Sequence, residues 1–237
     1  LISHDLKVIF IHIPKCAGTS VETAFGHYNG FSGRGGQDHR PIRRIEKPVL
    51  SHNIFRSREN FIEFASRGRT SLIWRARNMG LLPPEANKKN QLVVTNKQYN
   101  EYVKLALVRN PWARAFSWYK NVMRDKQHQA RLKIPNEISF PEFVRRHNGL
   151  GALRPQTYWL KDSSGQLPFD FIGKMETLET DFETMCDLVG LDHTILPHKI
   201  VGDGTSYMDA YDQKSRREVE MLCAEEIDLF KYRFGHP

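Results

Sequence analysis

The sequence predicts a three-layer α/β fold in which a central parallel sheet is flanked by helices on both faces. Three segments carry this prediction. The apolar run Val8 to Ile13 enters a tight turn and a helix that begins near Thr19; Leu105 to Val108 does the same before Pro111; and a strand at Phe169 to Lys174 precedes a helical pattern from Glu179 to Val189. Short apolar runs alternating with helical periods are what parallel strands joined by helical crossovers produce. A chain of 237 residues is long enough for a real core, and the expectation is one domain over residues 1–237.

The first unit contains Pro14-Lys-Cys-Ala-Gly-Thr-Ser20, which reads as a phosphate-binding loop. Pro14 ends strand pairing, Gly18 lets the backbone approach a ligand, and the following helix start turns free N–H groups toward the turn. Lys15, Thr19 and Ser20 add a cation and two hydroxyls, and Cys16 and Ala17 complete the loop backbone. The loop is not a Walker A motif, in which the lysine directly precedes the hydroxyl residue, and no apolar strand ends in an aspartate suited to holding magnesium.

The second unit repeats the architecture. Arg109 stands at the C-terminal end of its strand, Pro111 suits the first turn of a helix, and Ser117 lies eight residues beyond Arg109. Ligands of open α/β sheets bind outside the carboxyl ends of the strands, so Arg109 and Ser117 are placed to hold a second anionic group. The aromatic residues Trp112, Phe116, Trp118 and Tyr119 on this helix are read first as core and second as a platform for a flat ring.

The remaining elements are a short helix from Glu59 to Ser66, another from Phe140 to His147 with Pro141 in its first turn, and a stop at Gly190. A last helix, Gln213 to Phe230, carries Val219, Leu222, Cys223, Ile227 and Phe230 at helical spacing and is expected to pack on the sheet. Residues 27–47 and 67–98 read as irregular segments that shape a cleft.

The formal net charge of +8 favours acidic ligands. Arg40, Arg43, Arg44, Lys47, Arg56 and Arg58, continued by Arg67, Arg69, Arg75 and Arg77, form either a track for a polyanion or a solvated basic face. No helix-turn-helix, zinc-finger or single-strand-binding pattern supports a nucleic-acid partner. Cys16, Cys186 and Cys223 are too widely spaced for a disulfide framework or a zinc site, which favours a reducing compartment. No run is long enough to span a membrane. His12 interrupts the first strand and is read as a hydrogen-bonded core residue, and Cys16 as a packing residue rather than a nucleophile.

These residues together resemble the sulfotransferases that use 3′-phosphoadenosine 5′-phosphosulfate (PAPS), and in particular the carbohydrate branch that includes heparan-sulfate 2-O-sulfotransferases and bacterial relatives. Pro14, Lys15, Gly18, Thr19 and Ser20 match that family's 5′-phosphosulfate loop, and Arg109, Asn110, Pro111 and Ser117 its 3′-phosphate element. Leu153-Arg-Pro-Gln-Thr-Tyr-Trp-Leu160 and Phe171-Ile-Gly-Lys-Met-Glu-Thr-Leu178 match later elements, as do Leu196-Pro-His198 and the closing helix, so the resemblance covers nearly the whole chain.

The resemblance implies a fold like that of P-loop kinases and a metal-free, in-line transfer of sulfonate to an acceptor hydroxyl, with 3′,5′-bisphosphoadenosine as product. It implies that Lys15 neutralises the leaving phosphate, that Cys16, Ala17, Gly18, Thr19 and Ser20 line the 5′ site, that Arg109 and Ser117 hold the 3′-phosphate, and that Lys199 contacts the nucleotide from a strap. The resemblance implies a His or Glu as general base, and His39 is favoured over His52, with another residue left open, because a side chain titrating near neutrality can accept the acceptor's proton. The acceptor is expected to be a carbohydrate, with a polyanion such as a sulfated or uronic-acid polysaccharide among the candidates and Tyr158 and Trp159 as candidates for sugar contact. Cytoplasmic location is favoured, with the Golgi lumen the alternative if an anchor precedes Leu1. Two other readings stay open: a kinase that uses Mg-ATP on the same fold, and a non-catalytic module that binds acidic glycans.

Overall fold

The computed structural model describes residues 1–29, 37–46, 52–89, 91–192, 196 and 206–236. Its sheet runs β1 (Ile2–Ser3), β2 (Val8–Ile11), β3 (Val103–Val108) and β4 (Phe171–Lys174), in that spatial order. The three longer strands are parallel, with Ile11 beside Ala106 and Val108 beside Lys174, while β1 pairs antiparallel to β2. Every residue of β2 is buried, as a strand covered on both faces requires.

The described helices are α1 (Gly18–Ala24), α2 (Ile42–Ile45), α3 (Arg58–Asn78), α4 (Asn96–Glu101), α5 (Pro111–Arg124), α6 (Lys126–Leu132), α7 (Phe140–His147), α8 (Thr157–Leu160), α9 (Leu178–Val189), α10 (Gln213–Leu222) and α11 (Ala224–Phe230). Local chemistry sets several boundaries. The Asn110 side chain caps α5 by accepting from the N–H groups of Trp112 and Ala113, with Pro111 as the first helical residue. Ser139 caps α7, and Gly190 ends α9 in the left-handed conformation at φ 69°.

Two buried clusters result. One surrounds the sheet and includes Phe10, Leu105, Leu107, Trp159, Phe182 and Met185. The other lies among α5, α7 and α10 and includes Trp112, Val122, Phe143, Val144, Val219 and Cys223. The aromatic residues of α5 belong to the second cluster, which realises their packing role: Trp112 is 3% exposed and its indole N–H donates to the Arg216 carbonyl.

Two expectations need correction. The helix read as Glu59 to Ser66 continues to Asn78, so residues 67–78 of the segment read as irregular are helical, and Asn96–Glu101 adds a further turn sealed by a Thr95–Gln98 capping box. The last helix is two helices broken at Cys223, and α10 packs on α5 and α7 rather than on the sheet. Among the described residues no helix is long and apolar enough to cross a membrane.

Candidate active site

The turn between β2 and α1 holds two non-glycine residues in the left-handed region, Lys15 at φ 68° and Ala17 at φ 56°. Such backbone persists where surrounding structure over-determines it, and it is found disproportionately at ligand sites. Gly18 is needed for space: a Cβ there would fall 2.2 Å from Cδ2 of the His12 ring. The ring is fixed from the other side, with His12 Nδ1 2.9 Å from the buried carboxylate of Glu22. Tyr28 donates to the same carboxylate at 2.8 Å. Burial alone would raise the Glu22 pKa, but the charge of His12 and these hydrogen bonds outweigh it and hold the carboxyl low, at about 2. His12 is thus the buried core residue its position in the strand implied.

β3 delivers Arg109 to the same turn. Its guanidinium donates to the Lys15 carbonyl at 3.2 Å, which joins the two sequence-predicted loops directly. The Lys15 ammonium reaches across to α5 and donates to Asn121 Oδ1 at 3.3 Å. Ser117 lies one helical turn before Asn121, on the same face, and Arg124 follows within the next turn. Burial, then the charges of Arg109 and Arg124, lower the Lys15 pKa to about 8. Burial likewise lowers that of Arg109. Cations crowded so that each disfavours the other's charge form a place an anion would stabilise.

Asn121 and Arg124 were not among the residues singled out in the sequence. The signal that could have found them is helical spacing from Ser117, four and seven residues on.

A third segment locks the two loops together. Gln156 is fully buried; its side-chain carbonyl accepts from Arg109 N at 2.8 Å and from Cys16 Sγ at 3.3 Å, and its amide donates to Arg109 O at 2.8 Å and to Glu226 Oε1 at 3.0 Å. Its backbone N–H donates to the other oxygen of Glu226. The side-chain amide therefore pairs with the Arg109 peptide as a neighbouring strand would. Burial pushes the Cys16 thiol up to about 12, so it stays a neutral donor to Gln156 and does not act as a thiolate.

His39 approaches from the segment before α2. Its Nδ1 lies 2.9 Å from the His12 carbonyl, which can only accept, so Nδ1 carries the proton and Nε2 is left with its lone pair. The residue is exposed while its ring packs against His12, with centroids 4.4 Å apart. Burial of its inner side, then the neighbouring His12, lowers its pKa and keeps the imidazole neutral. Trp159 holds this segment by donating its indole N–H to the His39 carbonyl at 3.0 Å. Trp159 is buried by that role, and the Tyr158 hydroxyl donates to Glu63 at 2.5 Å.

The other sequence-predicted residues divide clearly. Thr19 and Ser20 begin α1 beside the turn, and Gln37 donates to Thr19 Oγ1 at 3.3 Å. His52 is exposed in a short 3-10 turn, His52–Phe55, which packs on α3. Lys199, together with Pro197 and His198, lies outside the described residues. Much of the basic track is bound internally: Arg40 to Asp38, Arg43 to Glu59 and Asn60, Arg44 to Glu63, Arg67 to the Ile45 carbonyl and Arg77 to Glu85.

A family model described as the sulfotransferase family matches residues 1–233. No curated protein and no solved structure matches the chain.

Proposed function

The chain belongs to the sulfotransferase family, and from that premise we propose that it transfers a sulfonate group from PAPS to an acceptor hydroxyl on a carbohydrate. The observation that supports this most is the meeting of Lys15, Arg109 and the Ser117 face of α5 around one strained turn, two anion-suited elements from different strands joined by a hydrogen bond. A donor with phosphates at both 5′ and 3′ positions calls for two such elements. When bound, that donor supplies a sulfur centre activated by its phosphate leaving group.

The chain's own residues take the remaining tasks. Thr19, Ser20 and the turn backbone from Cys16 to Gly18 hold the 5′ phosphate, while Arg109 and Ser117 hold the 3′ phosphate. The Lys15 ammonium neutralises charge on the departing phosphate oxygen. His39 Nε2 takes the proton of the acceptor hydroxyl, its tautomer being fixed by the His12 carbonyl. An anionic donor nearby raises the basicity of His39 from its depressed value, so the base strengthens when the site fills.

Calorimetric titration with 3′,5′-bisphosphoadenosine and with AMP, both in EDTA, tests the reading. Tight binding of the bisphosphate with much weaker AMP binding is expected. Equal binding of the two, or binding of ATP only with Mg²⁺, overturns it in favour of a kinase-type site. His39→Ala should leave bisphosphate affinity unchanged and reduce turnover about 10²- to 10⁴-fold.

A further inference from the structure

Helix α3 is inside out. Its buried positions are polar: Asn60, Glu63 and Arg67 face the body of the protein and are each hydrogen-bonded there. The Asn60 amide donates to the carbonyls of Asn53 and Ser163 at 2.7 and 2.9 Å, Glu63 accepts from Arg44 and Tyr158, and Arg67 donates to the Ile45 carbonyl. An apolar line runs along the outward face, between exposed polar residues. Phe61, Leu72 and Met79 are 52%, 65% and 66% exposed, and their spacing of eleven and then seven residues keeps them in one line along the helix. Exposed Ala65 and Gly68 lie between them, and Gly68 has open space where a side chain would stand. Phe55, 79% exposed and in ring contact with Phe61, extends the stripe at one end. At 21 residues the helix is about 30 Å long.

Charge decides what can cover this face. Arg58, Arg69 and Arg75 are exposed along the stripe. The two carboxylates of the helix are engaged elsewhere, Glu59 with Arg43 and Glu63 with Arg44. A second copy docked on the stripe would set arginines against arginines. A soluble polyanion would satisfy the arginines and leave Phe61, Leu72 and Met79 in water. An anionic bilayer surface accepts both sets, with apolar side chains in the headgroup boundary and guanidinium groups on lipid phosphates.

We propose that the outer face of α3 seats the protein on anionic membrane surfaces, lying in the interface rather than spanning it. This stands independently of the donor and acceptor assigned above.

The test is flotation of the full chain with vesicles of phosphatidylcholine alone and of phosphatidylcholine mixed with phosphatidylglycerol. Binding is expected only to the mixed vesicles, and it should weaken with salt. The combined variant Phe61→Ser, Leu72→Ser, Met79→Ser, all on exposed positions, should keep its thermal unfolding profile and lose binding by about tenfold or more. The variant Arg58→Gln, Arg69→Gln, Arg75→Gln should lose it as well. Absence of flotation with either vesicle overturns the proposal, as does equal binding by the serine variant, which would mean charge alone. A dimer in light scattering that the serine variant dissolves would assign the stripe to a second copy instead. Heparin binding without vesicle binding would assign the arginines to a polysaccharide.

Discussion

Gly18 shows how a single residue couples the ligand turn to the core. Its requirement is steric, because the His12 ring that occupies the space of a Cβ is itself pinned by Glu22 and by its own buried packing. Gly18→Ala should therefore destabilise the fold by about 1–3 kcal/mol and impair bisphosphate binding, as measured by denaturant unfolding and calorimetry; a variant with wild-type stability and affinity would show that the ring can move. Lys15 makes a prediction of opposite character, visible only in ligand affinity. The free ammonium loses its proton as pH rises through about 8, whereas a bound phosphate favours the charged form. Bisphosphate affinity should be level with respect to Lys15 below about 8 and fall by up to about tenfold per unit above it, and Lys15→Arg should flatten that limb. Both residues were legible in the sequence because the strand, turn and helix that place them are contiguous. Gln156 was legible only as part of a motif, since its partners Arg109 and Cys16 are distant in the chain and its role exists only after folding.

At the scale of elements, the segment before α8 is the keystone between β2 and β3. Gln156→Leu would leave the Arg109 N–H and C=O without their buried partner, at roughly 1–3 kcal/mol for each group, and would remove the side-chain donor from Glu226, which keeps the backbone N–H of residue 156. The expected outcome is a lowered melting temperature together with weaker binding of both 5′- and 3′-phosphate nucleotides, because the residue holds the two loops in register; loss of only one would show that the loops are independent. The elements that sequence reading misjudged failed for a physical reason. Helix α3 was cut short at Ser66 because Ser66, Gly68, Thr70 and Ser71 are weak helix formers and its apolar period points outward. The break at Cys223 was invisible because the apolar spacing continues across it, serving α5 and α7 before the break and packing partly against the sheet cluster through Phe230 after it.

Over the whole molecule, net charge was a blunt guide. Several arginines read as a ligand track serve instead as cross-links among α2, α3 and the segments around them, and the cations that matter to the proposed chemistry lie at the ends of strands. The architecture was legible because parallel strands announce themselves in short apolar runs; the partnership of its two cores was not, because nothing local encodes it. Asn110, the cap beside Arg109, donates to the carbonyls of Arg233 and His236, and Gln156 leans on Glu226. During synthesis the strands and both anion loops leave the ribosome well before these supports do, so the nascent chain carries an unfinished site until its last helix and the residues after it have emerged. A chain translated only as far as Leu222 is therefore expected to lack bisphosphate binding, a prediction that calorimetry on the truncated protein checks.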